Sequence, residues 1–557
     1  CYIYFCFNRL FHSRLLLRLL KTLESHFSRG RLNEIQSNLH KSEYIMESIP
    51  PKGEKLIGLI QGQREFREVL LEDPHRPTYH FVNPEGRGMP FDPNGAIFWE
   101  GKYHLCYIYQ NDDRILDHSK NERNFDCWGH VSSVDLLHWR FHKPALSPGE
   151  PDRSMFSGNC FVNNKGEATI LYHGVGAGNC IATSSELDLD NWTKLETNPI
   201  IPIPEKNSPS AKLFSSWDPH GWVENGQHYA VFGGPIPALF KADGLDDWKY
   251  VGPFMSKDMP DVGDHEDVSC PDFFKLGTKY ALLCISHNCG ARIYIGEWKN
   301  NQFHPEHHQR LNFPGGTCFA PESLIDDKGR RIMWSWIVQR NEPLHVTDFT
   351  DPPAFGWSGI MSLPRTLTLN SQGVLIIEPV KELQRLRLRK KEEKNMKVSQ
   401  DEPHRLQSVR GNTLELLLTI DPSDAEVCGI KICASPDGQE ETIIEYNRES
   451  AQLMIDLEKS GLDESIKYYQ YVMYSRGDNP TVTKQVAPLI LKPDEKLELH
   501  IFIDRSVVEV FANKKQCMTQ CIYPTRQDSQ GIELFSRGGS MLVESLEAWH
   551  IAATNQW

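Results

Sequence analysis

The sequence predicts an all-β protein built in two successive parts, a β-propeller and then a β-sandwich. Three observations carry that expectation. From about Tyr79 onward, short apolar runs recur between turn signals, and no helix-period run of any length interrupts them for nearly 300 residues. The chain carries 39 Gly and 35 Pro beside 10% aromatic residues, a composition of many strands and frequent turns. Near residue 380 the character changes, and after Gln407 a second series of strands begins. With 557 residues the chain exceeds one ordinary core, so more than one domain is expected.

Taken in order, residues 1–45 look unlike the rest. Cys1 to Leu20 mixes aromatics and Leu with Arg, and the first Met is Met46. Three Arg between positions 9 and 18 break any membrane-spanning stretch, so no membrane partner is expected. The segment reads as a non-domain extension, with the working protein starting near Met46; a transit peptide is the competing reading. A start at Met46 with no clear signal peptide favours the cytoplasm. Residues 46–78 form a polar lead-in with room for a short helix at 63–71.

Residues 79–378 are expected to form the propeller. Apolar segments fall at 96–109, 127–134, 158–163, 168–172, 228–232, 269–274, 279–285, 292–298, 317–325 and 331–337. Turn signals divide them, among them Asn164-Lys165-Gly166, Glu224-Asn225-Gly226 and Asp327-Lys328-Gly329. A propeller closes such a series on itself and leaves few edges; a large sandwich or barrel is the alternative. Residues 379–400 read as a short amphipathic helix running into a charged linker, with Val380, Leu383, Leu386 and Leu388 among alternating charges. Residues 401–557 are expected to form an antiparallel sandwich, with strands at 413–420, 428–433, 442–446, 451–456, 497–503, 507–511, 517–522 and 531–535.

The net charge of -14 argues against a nucleic-acid partner and suits a neutral substrate. The 14 Cys are scattered, several lie inside apolar runs (Cys106, Cys284, Cys433), and none shows paired zinc-ligand spacing. They are expected to be free thiols, and no metal or organic cofactor is implied. The oligomeric state is not legible.

The chemistry is carried by acids next to prolines. In Phe91-Asp92-Pro93-Asn94-Gly95, Pro and Asn-Gly forbid a helix interior and fix the carboxylate of Asp92. They place it at a strand end before a tight turn. Similar stretches are Trp217-Asp218-Pro219, His265-Glu266-Asp267 leading to Ser269-Cys270-Pro271, and Ala320-Pro321-Glu322. Aromatic residues stand close by: Trp99, Trp128, Trp217, Trp222, Phe156 and Phe319. Rings match the C–H faces of a sugar and carboxylates match its hydroxyls. Two carboxylates flanking a glycosidic bond are what its hydrolysis needs.

With these residues the sequence resembles glycoside hydrolase family 32, the invertases, inulinases and levanases, from about Tyr79 to the C-terminus. Phe-Asp92-Pro-Asn94-Gly is similar to the family's nucleophile motif, and Gln110 to the Gln closing the next strand. Trp128-Gly129-His130 with Asp135-Leu-Leu-His-Trp139, and Phe156-Ser157-Gly158, match two further motifs. Asp218 matches the acid of Arg-Asp-Pro. Gly356-Trp357-Ser358-Gly359 and Leu363-Pro364-Arg365 match the stretch closing the propeller. Phe502-Ile-Asp504-Arg505-Ser506-Val-Val-Glu509-Val-Phe511 with Ile522-Tyr523-Pro524 matches the sandwich signature.

The resemblance implies a five-bladed β-propeller followed by a C-terminal β-sandwich. It also implies a retaining glycosidase acting on the β-fructofuranosidic bonds of sucrose or fructans, with Asp92 as nucleophile and Asp218 stabilising the transition state. Asn94, Gln110, Trp128, Phe156, Ser157, Trp217, Ser269 and Cys270 are the expected sugar-binding set. The sequence departs from the family at three places: its Trp-Met-Asn is Met89-Pro90-Phe91, the Arg of Arg-Asp-Pro is Trp217, and the acid/base Glu of Glu-Cys-Pro is Ser269. An indole cannot replace the five donors of a guanidinium, and a serine supplies no proton at neutral pH. Asp267, then Glu266, then Glu322 are the expected substitutes for the missing acid. The alternatives are a fructosyl-sugar-binding protein or a fructosyltransferase on the same fold.

Overall fold

The computed structural model describes residues 54–84, 88, 90–110, 126–339, 357–400, 402–422, 424–470 and 480–556. The expected extension 1–45 and Met89 lie outside them. Packing divides the chain into two units, Cys1–Val69 and Leu70–Trp557. The first contributes the helix Glu54–Glu72 as far as Val69, which takes in most of the helix expected at 63–71. No described helix is long and apolar enough to cross a membrane.

Among the described residues, the regular structure of the second unit is β apart from the end of that helix, Leu70–Glu72, and two short 3₁₀ segments. Its first 300 residues form five successive antiparallel sheets. Blade 1 comprises Pro93–Trp99, Lys102–Gln110, Asp126–Ser133 and Arg140–Phe141. Blades 2, 3, 4 and 5 begin with the strands Met155–Val162, Pro219–Glu224, Ser269–Leu276 and Cys318–Ile325. These five first strands pack on one another in sequence, and the fifth packs on the first. That closed ring is the propeller.

Closure also uses the chain that leads into blade 1. Val82 bridges Ile360, Met361 N–H donates to Phe81 O at 2.8 Å, and Asn83 N–H donates to Gly359 O at 2.9 Å. The entry segment is thereby hydrogen-bonded to the last blade.

Two six-stranded sheets follow. One runs Arg387–Val398, Met541–Ile551, Thr413–Asp421, Leu497–Asp504, Val507–Ala512, Gln516–Cys521; the other runs His404–Arg410, Gly531–Arg537, Val427–Ala434, Glu441–Asn447, Gln452–Lys459, Lys484–Pro488. Leu416, Leu418, Ile501 and Ile503 of the first sheet meet Ile430, Ile432, Ile444 and Leu453 of the second in one buried core. The expectation of a helix and linker at 379–400 is corrected. Lys381–Leu386 is a short 3₁₀ helix of six residues that buries Leu383 and Leu386. Arg387–Val398 is a twelve-residue strand paired to Met541–Ile551. It lies at the edge of its sheet and exposes most of its side chains, which accounts for the run of charge.

The sandwich is fastened to the propeller. Phe502, Phe511, Cys517 and Trp549 lie in the same buried cluster as Phe91, Tyr107, Trp334 and Leu367. Arg365, at the start of the fifth blade's third strand, donates from Nη2 to Glu509 Oε1 at 2.8 Å, with both side chains buried. The twelve described cysteines are free thiols.

Candidate active site

The first strands of the blades deliver their opening residues to one end of the ring. Asp92, expected at the end of one strand just before a tight turn, instead stands immediately ahead of the strand Pro93–Trp99, which bulges between Asn94 and Ile97. Gly95 there has φ +56°, and a Cβ on it would stand 3.1 Å from the Trp128 ring. The hairpin turn itself is at Glu100-Gly101. The first strands of blades 2, 4 and 5 break register in the same place, between Met155 and Gly158, Ser269 and Asp272, and Phe319 and Glu322. In blades 4 and 5 a non-glycine residue before a proline takes the left-handed conformation, Cys270 at φ 44° and Ala320 at φ 40°. A bulge re-aims side chains out of the alternating pattern, so neighbouring residues can both reach the axis.

Asp92 and Asp218 converge on Cys270. Cys270 N–H donates to Asp218 Oδ2 at 3.0 Å, and its Sγ lies 3.7 Å from that oxygen and 3.9 Å from Asp92 Oδ2. Ser157 Oγ donates to Asp92 Oδ2 at 2.9 Å and lies 3.3 Å from Cys270 Sγ. Asp92 is 7% exposed and Asp218 4% exposed. Burial pushes Asp92 up to about 7; the Ser157 and Cys270 donors and His287 pull against that, and the Asp218 charge adds to it. Asp218 is raised as well, by burial, against the Cys270 amide, His173 and His287. Burial and the two carboxylates hold the Cys270 thiol well above its ordinary value, so it stays protonated and serves as a donor.

Around this centre the expected sugar-binding residues divide. Phe156 packs edge to face against Trp217, and His173 lies against both rings. These rings stand beside Asp218 and form the aromatic part of the site. Asn94 is scaffold: its Oδ1 accepts Gly158 N–H at 3.0 Å and its Nδ2 donates to Asp92 O at 2.9 Å. Gln110 donates to Asp126 Oδ1 at 3.3 Å, the carboxylate that Ser154 Oγ also meets. Trp128, expected against the sugar, is 0% exposed, lies in the core between blades 1 and 2, and donates from Nε1 to Phe156 O at 3.0 Å. Its part is to hold the strand that presents Phe156 and Ser157. Trp222 packs in the core with Tyr229, Phe273 and Trp298.

The three carboxylates expected to replace the missing acid meet different fates. Glu266 receives hydrogen bonds from Arg292 Nη1 at 2.9 Å and from Arg310 Nη1 and Nη2 at 2.9 and 2.7 Å. Burial opposes its charge, but the Arg310 and Arg292 contacts overcome that and bring it down to about 2, so it has no proton to give. Asp267 is likewise brought down to about 2 against burial, by His287 and by Ser269. Glu322 is raised well above its usual range by burial and by Asp272, but its Oε1 accepts Ala96 N–H at 3.0 Å between blades 5 and 1, where it is buried. Sequence reasoning missed His287. Its Nδ1 sits 2.7 Å from Asp267 Oδ2 and its N–H donates to Asp267 Oδ1 at 3.0 Å. The signal lay in strand register: continuing the Ser269–Ile285 pairing outward brings Asp267 opposite His287.

Comparison with known proteins settles the family. Residues 80–379 match the model of the glycosyl hydrolases family 32 N-terminal domain, and residues 382–550 that of the family 32 C terminal. The chain belongs to glycosyl hydrolase family 32. It is 27% identical over 550 residues to a sucrose-6-phosphate hydrolase of Zymomonas mobilis, covering 92% of this chain and 98% of that one. It is 29% identical over 520 residues to a levanase of Bacillus subtilis, covering 85% and 70%. Among solved structures, fructan 1-exohydrolase IIa from Cichorium intybus superposes with a TM-score of 0.73 at 23% identity, over 87% of this chain and 98% of that one. The five blades and the sandwich of this family 32 glycosidase are the shared fold.

Proposed function

We propose that this family 32 glycosidase hydrolyses β-fructofuranosidic bonds, of sucrose or of fructans, by a retaining double displacement. The observation that carries the reading is the convergence of Asp92 and Asp218 on the Cys270 thiol, with Ser157 donating to Asp92. Asp92 is the group that attacks the anomeric carbon, and its carboxylate is aimed by Ser157 and Cys270. Asp218, fixed by the Cys270 amide, faces the ring as positive charge develops and accepts from its hydroxyls. Phe156 and Trp217 give the sugar an apolar wall. Relatives named as sucrose-6-phosphate hydrolase and levanase support this substrate class. Retention of both buried carboxylates disfavours a protein that only binds fructosyl sugars.

The test is release of fructose from sucrose, inulin and levan by the purified chain and by Asp92→Asn. Release that falls by at least about a thousandfold in the variant supports the reading. Equal release by both proteins rules out Asp92 as nucleophile, and sugar binding without release by the parent assigns a binding protein.

A further inference from the structure

The reaction needs an acid to protonate the leaving oxygen and a base to activate water. Ser269 stands where the family has that group, and Glu266 and Asp267 are both held ionised. We propose that His287, oriented by Asp267, is the general acid and base of this enzyme. The inference rests on the fructosidase reading of Asp92.

Four observations support it. Asp267 accepts from Ser269 Oγ at 2.8 Å and sits 2.7 Å from His287 Nδ1, so the carboxylate fixes the ring and assigns Nδ1 as a donor. Nε2 has no hydrogen-bond partner among the described residues, and the His287 side chain is 44% exposed, so that nitrogen is open to a substrate. The ring lies at the site: Asp267, which holds it, accepts from Ser269, the chain neighbour of Cys270, and Phe319 of the fifth blade stands edge-on to it with 6.3 Å between ring centroids. Lastly, the groups facing it are acidic, with Asp267 from the turn before its own blade, Asp218 from the third blade and Asp92 from the first. Burial works against the charged ring, but these three carboxylates outweigh it and raise its pKa above the ordinary imidazole value.

The steps balance. A carboxylate oxygen of Asp92 bonds to the anomeric carbon as the bond to the leaving oxygen breaks, and the Nε2 proton of His287 passes to that oxygen. A water then gives one proton to the neutral Nε2, its oxygen bonds to the anomeric carbon, and the bond to Asp92 breaks. The sum is one fructoside and one water converted to fructose and an alcohol, with His287 and Asp92 restored. Asp267 is a positioning residue and exchanges no proton.

The test compares the parent with His287→Gln, Asp267→Asn and Asp92→Asn on sucrose and on p-nitrophenyl β-fructofuranoside, whose leaving group needs little protonation. His287→Gln is expected to lose about a thousandfold in kcat/KM on sucrose and at least about a hundredfold less than that on the aryl substrate. Added azide should speed its turnover and yield a fructosyl azide. Asp267→Asn should move the alkaline limb of the parent's pH profile down by about one unit, because the imidazolium loses its nearest anion. Asp92→Asn should lose both substrates. Equal losses on the two substrates in a His287→Gln protein that unfolds at the parent's temperature overturn the proposal, as does no loss on either. If His287→Gln does not fold, His287→Asn is read by the same ratio. If Asp92→Asn stays active, the nucleophile reading has failed instead.

Discussion

Trp217 Nε1 donates a 3.0 Å hydrogen bond to Ser269 Oγ, so two of the positions at which this chain departs from the family's motifs touch each other. In the family pattern those positions hold an Arg and a Glu, a pair of opposite charge; here they hold a neutral donor and a neutral acceptor. Ser269 Oγ in turn donates a hydrogen bond to Asp267, which links Trp217 through Ser269 and Asp267 to His287. The substitutions are therefore expected to be coupled. Ser269→Glu alone buries a second carboxylate beside ionised Asp267 with no new cation, and should lower both the unfolding temperature and kcat/KM. Trp217→Arg together with Ser269→Glu should recover much of the loss, with a coupling of about 1–3 kcal/mol between contacting residues. Thermal unfolding and sucrose kinetics of the two single variants and the double variant measure it; simple additivity would refute it.

Ser157 is expected to set the acid limb of the pH profile. Its hydroxyl donates to Asp92 at 2.9 Å and so favours the carboxylate over the acid, holding Asp92 at about 7 against burial. Without that donor Asp92 keeps its proton to higher pH, and less of the enzyme is in the attacking form on the acid side. Ser157→Ala should shift the acid limb of kcat/KM upward by about one unit. Its loss relative to the parent should be larger at pH 5.5 than at pH 7.5. A uniform loss at every pH would show that Ser157 binds sugar and does not tune the nucleophile.

Much of this was legible in the chain, and the misses share one cause. Asp92 and Asp218 could be found because a proline follows each at the mouth of a strand, a local signal. The form of the Asp92 segment could not, because Pro-Asn-Gly suits a tight turn and a bulge equally, and the choice is made by blade 2, through Gly158 on Asn94. Arg387–Val398 looked like a solvated linker because its partner, Met541–Ile551, lies about 150 residues away and gives no local sign of itself. Glu266 seemed available as an acid until Arg292 and Arg310 were seen to hold it. His287 belongs to no motif, and only the register of the fourth blade sets it against Asp267.

Glu266 should prove structural and not catalytic. It pairs with Arg292, whose side chain is 0% exposed, and with Arg310 on the neighbouring strand. Removing one member of a buried pair leaves the other charge without compensation, at about 3–5 kcal/mol. Glu266→Gln is expected to lower the unfolding free energy, read from urea titration, by that amount. In protein that remains folded it should keep the parent's ratio of activity on sucrose to activity on an aryl fructoside. A selective loss on sucrose would make Glu266 part of the proton relay.

Asp504 of the sandwich signature should govern acid stability from a place remote from the chemistry. Its Oδ1 accepts Thr78 N–H at 2.7 Å and Thr78 Oγ1 at 2.9 Å; its Oδ2 accepts Tyr79 N–H at 2.8 Å and His80 N–H at 2.9 Å and lies 3.0 Å from His80 Nδ1. Those residues lead straight into the segment that closes the ring at Val82–Ile360. Burial opposes the charge of Asp504, but His80 and the amides outweigh it and hold the pKa below the ordinary carboxylate value. A depressed folded pKa adds stability that is present above the unfolded value of about 4 and is lost as pH falls through the folded one. Asp504→Asn has a second donor where an acceptor is needed, and is expected to cost about 3–5 kcal/mol at pH 7. The gap between parent and variant in urea unfolding should narrow as pH is lowered below about 4, because the parent then gives up the carboxylate that the variant never had. At a temperature where both are folded the variant should keep the parent's KM for sucrose, since neither Thr78, Tyr79 nor His80 touches Asp92 or Asp218. A gap that stays constant down to pH 3 would show that Asp504 acts through packing alone.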